Sequence, residues 1–309
     1  MVKTAVILAA GRGTRLKELG KEIPKGFLQI GEKPIIVESL EKLSAVGIEQ
    51  VVIVTGHCAE KYEELARSRN TEAEIRGQIE IRNPSETMPL CSARPSLPRI
   101  VTVHNDRYAD SGSLYSLYLA GRVLEENSHG FLLLESDLVY ESRALRVLQE
   151  DPRPDLILVS GITNSGDEVW VQTESGYLRA LSKERSKLEP VETQARPGLG
   201  ESGKTKYEET KDEPGGKVKN GPGYTAGSST EILGELVGIS KISMRLYAQL
   251  SRVAEGLFQK SLHVEYESGL METAKQHPIP CLLVPDLLWA EIDDVNHLER
   301  AKGLYGRLS

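Results

Sequence analysis

The residues that could most readily bind a ligand form a short loop directly after an apolar run. Residues 4–8 read TAVIL and are followed at residues 9–15 by AAGRGTR. The two glycines of this loop let main-chain N–H groups approach an anion closely, as a bound phosphate requires. Arg15 and the more distant Lys25, in the run PKG, would supply two cations to a polyphosphate. These cations favour phosphate binding over the alternative of a tight structural turn.

The loop differs from two well-known phosphate-binding loops. Leu16 stands where the dinucleotide-binding pattern G-x-G-x-x-G has its third glycine. The G-K-[ST] ending of the P-loop is also absent from this stretch. What remains is a glycine loop followed by two cations.

Carboxylates follow two later apolar runs. Asp137 comes directly after FLLLES, and Asp293 and Asp294 end the run WAEIDD. The carboxyl ends of parallel strands open into the ligand crevice of an α/β sheet, so Asp137 is placed towards a ligand. Each aspartate alone is better explained as an exposed loop residue or a helix N-cap than as a metal ligand, and we expect Asp294 to cap the last helix. Glu135, inside its strand, is a weaker metal candidate.

The combination LAAGRGTR with downstream PKG resembles the signature L-A-A-G-x-G-[ST]-R…P-K of nucleotidyltransferases that join an NTP to a phosphorylated small molecule and release pyrophosphate. The resemblance implies that Arg15 meets the β and γ phosphates and Lys25 the α phosphate. It also implies that Asp137 and Asp293 hold the catalytic Mg²⁺, a cation that prefers oxygen ligands. The loop residues implied to contact the base and triphosphate are Leu8, Ala9, Ala10, Gly11, Gly13 and Thr14.

A second motif narrows the resemblance. The stretch HNDRYADSGSLYSLYLA is similar to the N-x-x-Y-x-x-x-x-[SN]-x-x-S-L-Y segment of phosphocholine and 2-aminoethylphosphonate cytidylyltransferases. The resemblance implies CTP as the nucleotide, with Ser111, Gly112 and Ser113 against the cytosine and Ser113 able to hydrogen-bond its edge. The alternative is a helix start with Ser111 or Ser113 as N-cap. The runs TNSGDEVWV, ALSKE, ELVGISKIS, YESGL and WAEIDD are most similar to the 2-aminoethylphosphonate enzymes.

Residues for the acceptor are expected in the second half of the chain. Lys183, expected in a loop after the VWVQT strand, is our candidate for the acceptor's anionic group, because the related enzymes use a second lysine there; a solvated surface lysine is the alternative. An acceptor ammonium would be recognised by carboxylates and aromatic faces. Residues of suitable type are Asp167, Glu168, Trp170, Tyr266 and Glu267, although Trp170 is equally well explained as a core residue.

The apolar patterning predicts the elements that position these residues. Helices are expected at residues 34–46 and 60–67, and strands at residues 4–8, 50–55, 100–104, 131–135, 156–160, 169–173, 233–240 and 280–284. This order predicts one α/β domain over residues 1–309. We expect a Rossmann-like, nucleotide-diphospho-sugar transferase-type mixed sheet with helices on both faces. Residues 70–98 and 189–229 lack this patterning and are expected to be insertions.

Composition excludes several classes of protein. The net charge of −7 argues against nucleic acid or an acidic membrane surface as a partner. The three cysteines have no CxxC pairing, and no apolar run approaches the roughly 20 residues that membrane insertion needs. Without a signal-peptide pattern, a cytoplasmic protein is expected. The histidines form no zinc or triad pattern, and no G-x-S-x-G motif occurs.

The sequence therefore predicts a Mg²⁺-dependent transfer of CMP from CTP to 2-aminoethylphosphonate, or to a close phosphorylated amine such as phosphocholine or phosphoethanolamine, with release of pyrophosphate. One alternative is a nucleotidyltransferase acting on a sugar 1-phosphate or inositol 1-phosphate. Another is a non-catalytic nucleotide-binding sensor. The oligomeric state, including a homodimer, is left open.

Overall fold

The computed structural model describes residues 1–16, 19–82, 97–125, 129–188 and 230–308. Eleven β-strands and eight α-helices lie within these ranges. The strands are β1 (Thr4–Ala9), β2 (Gln50–Thr55), β3 (Arg99–His104), β4 (Phe131–Glu135), β5 (Leu138–Tyr140), β6 (Leu156–Ser160), β7 (Trp170–Glu174), β8 (Tyr177–Ser182), β9 (Thr230–Ile242), β10 (Cys281–Val284) and β11 (Trp289–Glu291). The helices are α1 (Leu19–Glu22), α2 (Ile35–Ala45), α3 (Ala59–Arg82), α4 (Ser113–Ala120), α5 (Arg143–Glu150), α6 (Met244–Phe258), α7 (Tyr266–Ala274) and α8 (Val295–Tyr305).

Nine of the described strands form one mixed sheet. Its order is β10-β6-β9-β4-β1-β2-β3, and the β7–β8 hairpin pairs with β9 through β7. The strands β4, β1, β2 and β3 run parallel to one another, whereas β9 is antiparallel to β4, β6 and β7. The mixed sheet that we expected is thereby confirmed.

Helices cover both faces of this sheet. Successive residues of a strand point to opposite faces. Ala5 and Ile7 of β1 accordingly belong to one buried cluster with Ile36 of α2, and Val6 belongs to a second cluster with Leu117 of α4. This double burial explains why β1 reads as a continuous apolar run.

The other two strands form a separate antiparallel ribbon. Leu138 of β5 lies opposite Glu291 of β11, and Ile292 donates its backbone N–H to the carbonyl of Asp137 over 3.1 Å. The ribbon therefore brings residues 291–293 beside the end of β4. Asp294 then caps α8 by accepting a hydrogen bond from the backbone N–H of His297 at 2.9 Å, which confirms the expected N-cap.

The structure differs from the prediction in the end of one helix and in three further strands. Strands β2, β4 and β6 have the expected bounds, whereas the helix expected to end at Arg67 continues to Arg82. The extension is polar and carried no periodic signal, but Asn70 exchanges two 2.9 Å hydrogen bonds with the backbone of Ile100. The short strands β5, β8 and β11 were not predicted. Lys183 consequently follows β8, not the strand that begins at Trp170.

The structure describes part of the first expected insertion and none of the second. Residues 70–82 belong to α3, whereas residues 83–96 and 189–229 lie outside the described residues. The single-domain organisation therefore stays a prediction. Among the described helices, none has the length and apolar character needed to cross a membrane.

Candidate active site

A cavity of about 620 Å³ lies where β1 and β4 end. The loop that follows β1 lines it, together with the start of α4, the start of α7 and the segment after β11. Most of the residues singled out in the sequence line this cavity: Leu8, Ala9, Ala10, Gly11, Gly13, Thr14, Arg15, Lys25, Ser111, Gly112, Ser113, Asp137, Lys183, Tyr266, Glu267 and Asp293. The structure thus brings together residues that are up to 285 positions apart, from Leu8 to Asp293.

Lys25 lies between the two predicted metal aspartates. Its Nζ donates a hydrogen bond of 2.6 Å to Oδ2 of Asp137 and one of 2.6 Å to Oδ1 of Asp293. Burial alone would lower the pKa of Lys25, but the two carboxylates outweigh burial and raise it. The side chain therefore stays protonated and presents a fixed positive charge to the cavity.

Arg15 extends this arrangement to the other side of the cavity. Its two terminal nitrogens lie 2.7 Å from Oδ2 of Asp293 and 3.2 Å from Oδ2 of Asp167. Asp167 also accepts a 2.9 Å hydrogen bond from Lys183. Positive and negative side chains therefore alternate in one chain of contacts: Lys183, Asp167, Arg15, Asp293, Lys25 and Asp137.

A cluster of carboxylates adjoins Lys25. One oxygen from each of Glu135, Asp137 and Glu291 lies within 4.8 Å of the others. Burial, with the charge of Asp137 next, raises the pKa of Glu291 to about 8. Burial also raises the pKa of Glu135, helped by the charge of Glu291. So many acidic groups at one place need compensating positive charge.

This cluster suits a divalent cation with a preference for oxygen ligands, such as Mg²⁺. Asp293 is not in this cluster; its Oδ1 accepts a hydrogen bond from Lys25 and its Oδ2 lies 2.7 Å from Arg15. Asp137 and Asp293 were predicted as the metal pair. The structure adds Glu291, which we did not predict, and groups it with Asp137 and with Glu135, the weaker candidate.

Sequence spacing could have indicated Glu291. The chain contains the pattern E-x-D twice, at residues 135–137 and 291–293. The pairing of β5 with β11 then places the two patterns side by side.

The turn before α4 is held by the segment that leads into α7. Gly112 donates its N–H to the carbonyl of Leu262 at 2.8 Å, and Leu114 donates to the carbonyl of Val264 at 3.0 Å. A Cβ at position 112 would lie 2.3 Å from the carbonyl oxygen of Val264, so this close approach requires glycine. The turn is therefore fixed in place, as a base-binding wall would need.

Ser113 lines the cavity, and its contact with a base stays a prediction. Gly112 is the N-cap of α4 and Ser113 is its first residue, so the alternative of a serine N-cap is wrong. The hydroxyl of Ser113 donates to Glu265 at 2.5 Å and accepts from the backbone N–H of Tyr266 at 2.9 Å. Ser111 accepts a hydrogen bond of 3.1 Å from Asn105. Glu265 and Asn105 line the cavity and were missed, because only the folded chain brings Glu265 to Ser113.

The predicted acceptor residues divide into two groups. Glu267 and Tyr266 line the cavity, and Tyr266 donates its hydroxyl to Glu135 at 2.8 Å. Glu168 and Trp170 are not among the residues that line it. Glu168 instead accepts the N–H of Gly166 at 3.0 Å, and the ring of Trp170 is stacked by a guanidinium group. A direct contact with the acceptor is therefore not supported for either residue. Asp167 is also absent from the lining, and its carboxylate is held by Arg15 and Lys183.

The sequence profile described as the MobA-like NTP transferase domain matches residues 5–181. The chain belongs to this family. The match ends before β9 and therefore omits Glu267, Glu291 and Asp293. The resemblance to nucleotidyltransferases inferred from the glycine loop is confirmed.

Three proteins of similar sequence have names that state an activity. The choline-phosphate cytidylyltransferase of Streptococcus pneumoniae is 26% identical over 183 residues, which are 56% of this chain and 66% of that protein. The 2-aminoethylphosphonate cytidylyltransferase of Lancefieldella rimae is 26% identical over 58% of this chain and 60% of its own length. The bifunctional IPC transferase and DIPP synthase of Aquifex aeolicus is 29% identical over 62% of this chain and 38% of its own. Each alignment spans less than two thirds of the relative.

Solved structures resemble nearly the whole NTP transferase chain. The CTP:phosphocholine cytidylyltransferase of Streptococcus pneumoniae superposes with a TM-score of 0.62 at 16% identity, covering 99% of this chain and 100% of that one. A UDP-glucose pyrophosphorylase complexed with UDP-glucose gives a TM-score of 0.63 at 16% identity, covering 99% of both chains. The inositol-1-phosphate CTP transferase of T. maritima gives 0.61 at 15% identity, covering 99% of this chain and 96% of that one. The predicted nucleotide-diphospho-sugar transferase-type fold is confirmed.

Proposed function

We propose that this protein is a Mg²⁺-dependent cytidylyltransferase that transfers CMP from CTP to a small acceptor bearing an amine and a phosphate or phosphonate, with release of pyrophosphate. Acceptors of this kind are 2-aminoethylphosphonate, phosphoethanolamine and phosphocholine. The observation that carries the proposal is Lys25, held between Asp137 and Asp293 in the same cavity as the loop of residues 9–15. The names of the pneumococcal and Lancefieldella relatives support cytidine as the nucleoside.

The glycine loop and its cations would bind the triphosphate. Main-chain N–H groups of the loop can surround the phosphate oxygens. Arg15 would meet the β and γ phosphates and Lys25 the α phosphate, in the roles that the family signature implies. Arg15 contacts Asp167 and Asp293 in this structure, so a bound triphosphate would exchange with these carboxylates at the guanidinium group.

Transfer would proceed by a direct displacement. A phosphonate or phosphate oxygen of the acceptor, held at Lys183, attacks the α phosphorus and forms the new P–O bond. The bond between the α phosphorus and the bridging oxygen breaks, and pyrophosphate leaves with that electron pair. Because the acceptor oxygen is already anionic, catalysis depends mainly on positioning and charge neutralisation and needs no strong base.

Mg²⁺ would be held by oxygens of Asp137 and Asp293, with Glu135 and Glu291 beside them. When bound, Mg²⁺ neutralises negative charge on the phosphate oxygens. Lys25, which contacts both aspartates here, keeps its positive charge in the same place because of its raised pKa. The carboxylates and Lys25 thus form one charge-balanced group on which a polyanion can be bound.

A pyrophosphate-release screen tests the proposal. It combines each of the four NTPs, in the presence of Mg²⁺, with 2-aminoethylphosphonate, phosphocholine, phosphoethanolamine, inositol phosphate and sugar 1-phosphates. We expect release only with CTP and an amine-bearing acceptor. Preference for UTP or GTP with a sugar 1-phosphate would overturn the proposal.

Two other functions have distinct outcomes in the same screen. Activity with CTP and inositol 1-phosphate would match the relative of that name from T. maritima. A non-catalytic sensor would bind CTP without releasing pyrophosphate with any acceptor. The retention of Arg15, Lys25, Asp137 and Asp293 in one cavity favours catalysis over sensing.

A further inference from the structure

Glu267 places an unpaired carboxylate oxygen in the wall of the cavity. It lies in the first turn of α7 and lines the cavity together with Lys183. Oε2 of Glu267 is buried and has no hydrogen-bond partner among the described residues, while the backbone N–H of Glu267 supports the carboxylate. A buried acceptor atom without a donor costs free energy. A ligand group that donates hydrogen bonds would remove this cost.

The charges around Glu267 favour a cationic donor. Burial raises the pKa of Glu267 to about 7, and the negative charge of Glu265 adds to the effect. Lys183 acts on Glu267 in the opposite direction, but its ammonium group is hydrogen-bonded to Asp167. A ligand ammonium would supply both the missing donor and the compensating charge.

The aromatic residues do not offer a site for a quaternary ammonium group. Such a group has no N–H and is recognised through exposed aromatic faces. Tyr62 and Tyr266 line the cavity but are 0% and 2% exposed. Trp170 is absent from the lining, and the guanidinium of Arg185 lies 4.9 Å from the centre of its ring.

Tyr108 is the remaining aromatic residue in the described lining of the cavity. It packs close to Gly56 and its ring lies 6.4 Å from that of His57. His57 donates its backbone N–H to the carbonyl of Ala10, so Tyr108 belongs to the surroundings of the glycine loop. No aromatic cage therefore forms around Glu267 within the part of the chain that the structure describes.

We propose that Glu267 binds a primary ammonium group of the acceptor while Lys183 binds its phosphorus-bound oxygens. This inference rests on the proposed function and narrows it. The acceptor is then a zwitterion with a primary amine, such as 2-aminoethylphosphonate or phosphoethanolamine. A trimethylammonium compound or a neutral polyol phosphate would leave Oε2 of Glu267 without a donor.

Equilibrium binding tests the inference without requiring turnover. Calorimetry on the full chain, with Mg²⁺ and a non-hydrolysable CTP analogue, would compare 2-aminoethylphosphonate, its N-trimethyl derivative and ethylphosphonate. We expect the primary amine to bind at least about 10-fold more tightly than either analogue, because a charge-assisted hydrogen bond is lost in both. Equal affinities, or tighter binding of the trimethyl derivative, would overturn the inference.

Variants of α7 separate recognition from folding. Glu267→Gln should weaken binding of 2-aminoethylphosphonate by at least about 10-fold and leave binding of ethylphosphonate unchanged. Glu267→Asp, which keeps the charge, should retain part of the preference for the amine. The matched control is Glu272→Gln, because Glu272 is on the same helix and pairs with Lys275 at the surface; it should behave as the wild type.

The outcomes distinguish this inference from the proposed function. Equal weakening of both ligands by Glu267→Gln would assign Glu267 a structural role and overturn ammonium binding. Pyrophosphate release from CTP with phosphocholine as the preferred acceptor would support the transferase and contradict the ammonium site. Preference for the primary amine without pyrophosphate release would support the site and contradict the transferase. If the glutamine variant does not fold, the comparison of the three ligands on the wild-type protein still decides.

Discussion

Lys25 donates a 2.6 Å hydrogen bond to Asp293, a residue 268 positions further along the chain. The contact joins the segment that follows the glycine loop in the sequence to the segment that follows β11. Both aspartates bound by Lys25 are buried, at 6% exposure for Asp137 and 2% for Asp293. One ammonium group therefore contacts both carboxylates on which the proposed metal also depends, and Arg15 adds a second positive charge at Asp293.

Replacing Lys25 tests this shared role. Lys25→Ala should lower the rate of pyrophosphate release by about 100-fold or more, because a fixed positive charge near the α phosphate is lost. It should also lower the thermal unfolding temperature without metal, and Mg²⁺ should restore part of that loss. The control is Lys33→Ala, which removes only an exposed pair with Glu41. Turnover near the wild-type rate would remove Lys25 from the reaction.

Asp137 is expected to determine the response to metal. Asp137→Asn removes one charged oxygen from the group that includes Glu135 and Glu291. We expect about a 100-fold loss of activity at saturating CTP and a flattened dependence on Mg²⁺ concentration. Asp286→Asn serves as the control, since Asp286 is an exposed partner of Arg143. A variant with unchanged activity and Mg²⁺ dependence would exclude Asp137 from the metal site.

Gly112 is expected to control nucleotide affinity. Gly112→Ala would place a Cβ 2.3 Å from the carbonyl oxygen of Val264 and push the start of α4 away from its support. The KM for CTP should rise at least about 10-fold, with a loss of stability of about 1–3 kcal/mol. Gly256→Ala is the control, because no atom lies within 4 Å of a Cβ there. In helix α6 it should be neutral or stabilise by up to about 1 kcal/mol. An unchanged KM in Gly112→Ala would separate this turn from the nucleotide.

Glu267 should make the stability of the unliganded protein depend on pH. Its pKa is about 7 in the folded state, raised by burial and by Glu265 and opposed by Lys183, against 4.5 without these influences. Between these values the unfolded chain loses the proton that the folded protein keeps, so the free energy of unfolding falls as pH rises. Above about pH 7 this contribution should level off. Chemical denaturation from pH 4.5 to 8 should show a shallower decline in Glu267→Gln; a parallel decline would contradict the shifted pKa.

Most strands of the large sheet, and the loop that bears the cations, could be predicted from local sequence patterns. Strands β2, β4 and β6 are buried on both faces, so each reads as an uninterrupted apolar run. Strands β5 and β11 span three residues each, too few for a periodic signal. Their pairing depends on the folded chain, and it is the pairing that places Glu291 beside Asp137.

The partners of the site residues were harder to predict than their positions. Arg15, Lys25 and Lys183 were recognised as cations, but Asp167 was assigned to the acceptor and not to a contact between Arg15 and Lys183. Ser113 was expected to face a base, and no sequence pattern indicated that its hydroxyl donates to Glu265. Such contacts join distant segments, and no local pattern encodes them. Glu168 and Trp170 have suitable chemistry but do not line the cavity. The type of a residue alone does not determine whether it lines a cavity.

The position of β9 in the sheet has a consequence during protein synthesis. β9 lies between β4 and β6, although about 70 residues of chain separate the end of β6 at Ser160 from the start of β9 at Thr230. On the ribosome, β4 and β6 would emerge first and remain without their common neighbour until residues 230–242 had left the exit tunnel. The nascent chain would then expose one unpaired edge of β4 and both edges of β6, whose other neighbour β10 is made later still. Unpaired strand edges are templates for association with other chains. Release of a stable sheet is therefore expected only after most of the polypeptide has been made.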